Sequence, residues 1–119
     1  MKENIIRDKS YVFAIRIVNL YKYLAFEKKE YILSKQVLRS GTSIGANIEE
    51  SIGGSSNKDF LSKIAISYKE ARETKYWIRL LRDTNFIKKE AANSLLTDCE
   101  ELVRIMGKIQ VTMKDKINQ

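Results

Sequence analysis

The run LRSGTSIGANIEES, from Leu38 to Ser51, constrains the fold of this chain more than any other stretch. Val37, Gly41, Ile44, Ile48 and Ile52 fall three or four apart, so the run predicts a helix with one apolar face. Inside that helix stand Gly41 and Gly45, one turn apart, although a glycine costs roughly 1 kcal/mol relative to alanine in such a position. Glycines retained there point to another backbone approaching closely. The Gly-x-x-x-Gly spacing is best attested between membrane helices, so here it signals close helix contact, within the bundle in preference to between subunits. Asn47 lies beside the apolar stripe and needs a hydrogen-bond partner if it is buried.

Around this helix the chain supplies three more. The first starts near Asp8 or Ser10, either of which can cap it, and buries Phe13, Ile17, Leu20 and Leu24. Lys28-Lys29-Glu30 forms a charged connection, its lysines matching the negative end of the helix dipole. The second helix spans Tyr31 to Ile52 and stops in the left-handed region at Gly53. Ser56-x-x-Asp59 has capping-box spacing and opens a third helix that runs to Asp83, with Leu61, Ile64, Tyr68, Ala71, Ile78 and Leu81 along its seam. Phe86 and Ile87 pin the next loop to the bundle end. The fourth helix carries Ala92, Leu95, Cys99, Leu102, Met106, Ile109 and Met113, with Val103 and Ile105 off that line as a second apolar face. The tail from Met113 to Gln119 is expected to fray. Four helices with short connections predict an all-α, antiparallel up-down-up-down bundle, one domain over residues 1–119.

Charge and the missing residue types narrow the function. The chain carries 22 lysines and arginines against 15 aspartates and glutamates, a net +7 that favours an acidic partner such as nucleic acid. It has no histidine, which removes the usual neutral-pH acid–base group and most zinc and di-metal bundle sites. Glu70 and Glu73 form a Glu-x-x-Glu, better read as partners for Arg39 or nearby lysines than as metal ligands. Neither glycine pair gives a phosphate-loop pattern, and no strand precedes them. The helix start at Ser56, with Lys58 nearby, has the elements of a phosphate site, but simple capping accounts for it better. Cys99 is a lone cysteine, fits a reducing compartment and reads as a small core residue. Arg16 and Asn19 interrupt the most apolar stretch, so neither a signal segment nor a membrane span is expected, and the protein reads as cytoplasmic.

The third helix holds the most suggestive positive feature. Arg72, Lys75, Arg79 and Arg82 recur at three, four and three, a stripe about 15 Å long. Lys69 extends it, and Arg39 and Lys35 add to it from the second helix. Such a stripe suits a phosphate backbone, while a solvated flank of long side chains is the plainer reading. On another face, Ile66, Glu70, Glu73 and Trp77 mix apolar and acidic groups, which fits either an interface or a tryptophan closing the core edge.

Two motifs carry a family resemblance. Arg39-x-x-x-Ser43-Ile44-x-Ala46-Asn47-Ile48-x-Glu50, then Ser56-x-x-Asp59-Phe60 ahead of a long helix, resembles the four helix bundle proteins, or 23S rRNA intervening-sequence proteins. The match is close from about Ile32 to Ile87. It departs at Gly45, where many members carry proline, and at Lys88-Lys89, where many have a serine or threonine cap. The resemblance implies a ring-like homopentamer, with subunit contacts expected around Ile66, Trp77, Val103 and Ile105. It also links the chain to the basic accessory proteins of diversity-generating retroelements, which bind nucleic acid and a reverse transcriptase. It brings no catalytic residue and no cofactor. Stripe, charge and resemblance together lead to a non-enzymatic nucleic-acid-binding oligomer using Arg39, Lys69, Arg72, Lys75, Arg79 and Arg82. The alternative is a protein–protein scaffold that docks a partner enzyme such as a reverse transcriptase.

Overall fold

The computed structural model describes residues 2–118, and Gln119 of the tail expected to fray lies outside them. Helix α1 (Lys2–Lys22) runs through a π-helical turn (Tyr23–Glu27) into the first loop. Helices α2 (Leu33–Ile52), α3 (Asn57–Asp83) and α4 (Lys89–Asn118) follow, forming the antiparallel four-helix bundle that the sequence predicts. The body is a rod of 51 × 21 × 21 Å.

Helix α1 begins well before Asp8 and Ser10, because its apolar stripe begins earlier. Ile6 is buried in line with Ser10, Phe13 and Ile17, and Ser10 donates its hydroxyl to the Arg7 carbonyl at 2.9 Å instead of capping anything. Each such buried side chain contributes about 1.5–3 kcal/mol, enough to carry helix through two good capping residues. Helix α2 starts two residues later than Tyr31. Glu30 reaches forward as its cap, accepting from the Ile32 and Ser34 amides at 3.1 and 2.6 Å. Burial pushes the Glu30 carboxyl up, but these amide donors, with the Leu33 amide, outweigh it and hold it below the usual range.

The glycines of α2 serve contact inside the bundle. A Cβ on Gly41 would stand 2.7 Å from the Ile17 side chain, whereas one on Gly45 would meet the Ser10 carbonyl at an ordinary 3.4 Å. The α2–α3 seam is small and hydroxylated: Thr74 donates to Ser40 at 2.9 Å, and Ser67 donates to the Ile44 carbonyl at 2.8 Å. Asn47 meets its need within its own helix, donating to Ser43 at 2.8 Å.

Two expectations at the end of α2 fail. Ile52 is 40% exposed and Ser51 is buried instead, since the three–four alternation through Ile44 and Ile48 arrives at residue 51. Gly53 has φ −83°, so the helix stops without a left-handed residue, in a turn closed by the Gly54 amide on Ser51. Ser56 then caps α3 by accepting from the Asp59 amide at 3.1 Å. The Asp59 carboxylate accepts from the Ser55 hydroxyl at 2.6 Å, which leaves the capping box half-formed. The left-handed residues are instead Lys29 and Asn85, in the two loops at the other end of the rod. Phe86 and Ile87 pack there against the core as expected. Helix α4 stays helical through Asn118, so no fraying begins at Met113 among the described residues.

Candidate nucleic-acid interface

Helix α3 has two edges of different chemistry. The edge toward α2 carries Glu70 and Glu73, and Arg39 of α2 reaches across to both, at 3.0 Å to Glu70 and in a short bond to Glu73. Glu73 also accepts from the Trp77 indole at 2.9 Å. The Glu-x-x-Glu pair is therefore spoken for by an arginine, and Arg39 is a clasp between helices with its charge matched locally.

The edge toward α4 is basic. Arg72 and Arg79 are exposed and Lys75 is half-buried, while Lys69 lies on the outermost line of the helix. Among the described residues none of these four is in an ion pair. The Arg72 guanidinium lies over the Tyr68 ring, 6.0 Å from its centroid, which orients it without neutralising it. Arg82, the last member of the stripe, differs. It pairs with its neighbour Asp83 at 2.8 Å and donates to Asn93 of α4 at 3.1 Å. Of the six cations singled out by sequence, four remain as one unneutralised row, and Arg39 and Arg82 are tied to carboxylates.

Behind this edge lies Cys99. It is fully buried and donates its thiol to the Ala71 carbonyl at 3.2 Å. Burial pushes the thiol up to about 12, which suits a core residue and leaves almost no thiolate at neutral pH.

The four residues expected at subunit contacts do not form one patch. Ile66 and Trp77, eleven positions apart, share a line of α3 on either side of the Arg39 clasp. Trp77 is half-buried against the core, as is Val103, whereas Ile66 is 43% exposed. Ile105 follows Val103 by two positions, about 200° around the helix, and lines an apolar cleft with Ile5, Phe60, Ile109 and Met113. That cleft belongs to the thinnest side of the bundle, where α1 and α4 are held by Arg16 to Asp98 at 2.6 Å and Lys9 to Glu101 at 3.2 Å. Farther along α1, Tyr11, Val12 and Ile15 are exposed.

Sequence reading passed over a second set of cations. Lys28, Arg82, Lys88 and Lys89 line a cleft between the two loops at one end of the rod, together with Tyr23 and Phe86. Arg82, Lys88 and Lys89 are close in sequence but Lys28 is more than fifty residues away, so no spacing announces the four as a group. The one signal was Lys88-Lys89 standing where a helix cap is usual.

No helix of the described residues is long and apolar enough to cross a membrane. No curated protein matches the chain. A crystal structure from Bacteroides thetaiotaomicron, described as a protein of unknown function from the S23 ribosomal protein family, superimposes with a TM-score of 0.90. It is 50% identical, over 92% of this chain and 98% of that one. The model of the 23S rRNA-intervening sequence protein family matches residues 2–108. With that match over most of its length, and with the Arg39-to-Glu50 motif built into the α2–α3 seam, the chain belongs to the 23S rRNA-intervening sequence protein family.

Proposed function

We propose that this protein is a non-enzymatic nucleic-acid-binding module that works as a homo-oligomer, the pentamer implied by its family resemblance being the state to test first. The observation that carries the reading is the unneutralised row Lys69, Arg72, Lys75 and Arg79 on one rigid helix. Rigidly spaced cations of this kind neutralise backbone phosphates and release counterions, giving affinity without base readout. The exposed Tyr11, Val12 and Ile15 of α1 and the apolar cleft around Ile105 support the oligomer, as surface of a kind that association covers.

The test is a salt series of binding to structured RNA, duplex DNA and single-stranded DNA, on particles whose mass is set by light scattering. Micromolar or tighter binding near physiological salt, with a steep salt slope, is the expected outcome. Binding that disappears by about 100 mM salt would reduce the row to a solubilising surface.

A further inference from the structure

The cleft between the two loops differs from the row on α3 in being concave and in gathering its charge from separate chain segments. Lys28 comes from the α1–α2 loop, Arg82 from the end of α3, and Lys88 and Lys89 from the start of α4. The π-helical turn swings Tyr23 to the rim, where the Lys28 ammonium lies 5.7 Å from its ring centroid. Phe86 and Ile87 form the apolar wall of an open cleft of about 420 Å³, room for a phosphate and an attached nucleoside.

The only carboxylate in the lining is Asp83, and Arg82 already holds it. That hydrogen bond, with the nearby Arg82, Arg79 and Lys89 charges, keeps the Asp83 carboxyl below its usual range. Lys28, Lys88 and Lys89 are in no ion pair among the described residues. Lys88 and Lys89 also sit at the positive end of the α4 dipole, where a cation is unfavourable by about 0.3–1 kcal/mol, and Glu90, the acidic residue of that first turn, lies outside the cleft lining.

We infer that the cleft lined by Lys28, Lys88, Lys89 and Tyr23 binds a phosphomonoester, namely the terminal phosphate of a nucleic-acid strand, with the terminal base against the Tyr23 ring. A terminal phosphate carries a second negative charge that an internal phosphodiester lacks, which is what several converging cations select. The inference rests on the nucleic-acid reading for the source of the phosphate, and a free mononucleotide has the same chemistry.

Fluorescence anisotropy with one short RNA hairpin, carrying either a terminal phosphate or a terminal hydroxyl, tests it. The phosphorylated hairpin should bind about fivefold tighter or better. Lys28→Ala/Lys88→Ala/Lys89→Ala should erase that ratio, while Arg72→Ala/Lys75→Ala/Arg79→Ala weakens both hairpins and keeps it. Equal binding of the two hairpins by the wild-type protein overturns the inference and leaves the nucleic-acid reading standing. If neither hairpin binds, that reading falls, and an NMR titration with adenosine monophosphate decides the cleft alone. Saturable amide shifts at Lys28, Asn85, Lys88 and Lys89 would keep it as a mononucleotide site, and their absence would overturn it.

Discussion

The two edges of α3 hold similar numbers of charged side chains and do opposite things with them. Toward α2, Glu70 and Glu73 meet Arg39, and the charge is consumed in joining two helices. Toward α4, Arg72, Lys75 and Arg79 are in no ion pair among the described residues, although Glu100 stands on the same line of α4 as Asn93 and Gly107. A net charge of +7 is thus not spread over the rod. What matters for a polyanion is which cations are left over once the bundle has made its own pairs.

The largest expected effect breaks the basic edge outright. Arg72→Ala/Lys75→Ala/Arg79→Ala should lower nucleic-acid affinity on the order of a hundredfold near physiological salt and flatten the salt slope by about three units. Circular dichroism should show the same helix content, since Arg72 and Arg79 are solvated and Lys75 is half-buried. An unchanged slope would mean that the two edges are functionally alike. Next, Glu70→Gln/Glu73→Gln dissolves the clasp and leaves Arg39 unmatched. Binding should strengthen severalfold, and a loss of about 1 kcal/mol or less is expected in denaturant unfolding. Weaker binding would show that Arg39 needs its carboxylates to be presented at all. Arg39→Ala should lower stability by a similar amount with affinity held within about twofold.

The last effect lies behind the basic edge, is absent at neutral pH and shows only at high pH. Because the folded Cys99 thiol is raised to about 12, the folded chain holds that proton after the unfolded chain has released it. Its contribution is fully present below about pH 9 and falls by about 1.4 kcal/mol per pH unit above it. Cys99→Ala should therefore flatten the alkaline side of the stability profile relative to wild type. Parallel profiles would mean that the thiol ionises as readily in the fold as outside it.

Periodicity made the bundle legible. Phe13, Ile17, Leu20 and Leu24 are buried as their spacing dictates, and Gly41 does admit a close neighbour, though it is the Ile17 side chain and not the backbone expected. The start of α1 was hidden because Asp8 and Ser10 advertise a cap, while Ile6 outweighs both through burial that local sequence does not express. Gly53 misled for a related reason, since a glycine permits the left-handed region without requiring it. At the candidate site, spacing placed Arg72, Lys75, Arg79 and Arg82 on one flank correctly. Only side-chain geometry could separate Arg82, which folds back on Asp83, from the other three. The loop-end cleft was the least visible, because Lys28 and Lys88 meet only through the topology.

The clasp on the acidic edge has an optical consequence. Trp77 is the only tryptophan in the chain, and its indole N–H is fixed to the Glu73 carboxylate that Arg39 also engages. Tyr76, edge-on to the indole at 5.1 Å, faces solvent one position from Lys75. The Trp77 emission wavelength therefore reports the clasp, so the acidic edge of α3 can be watched without attaching a dye.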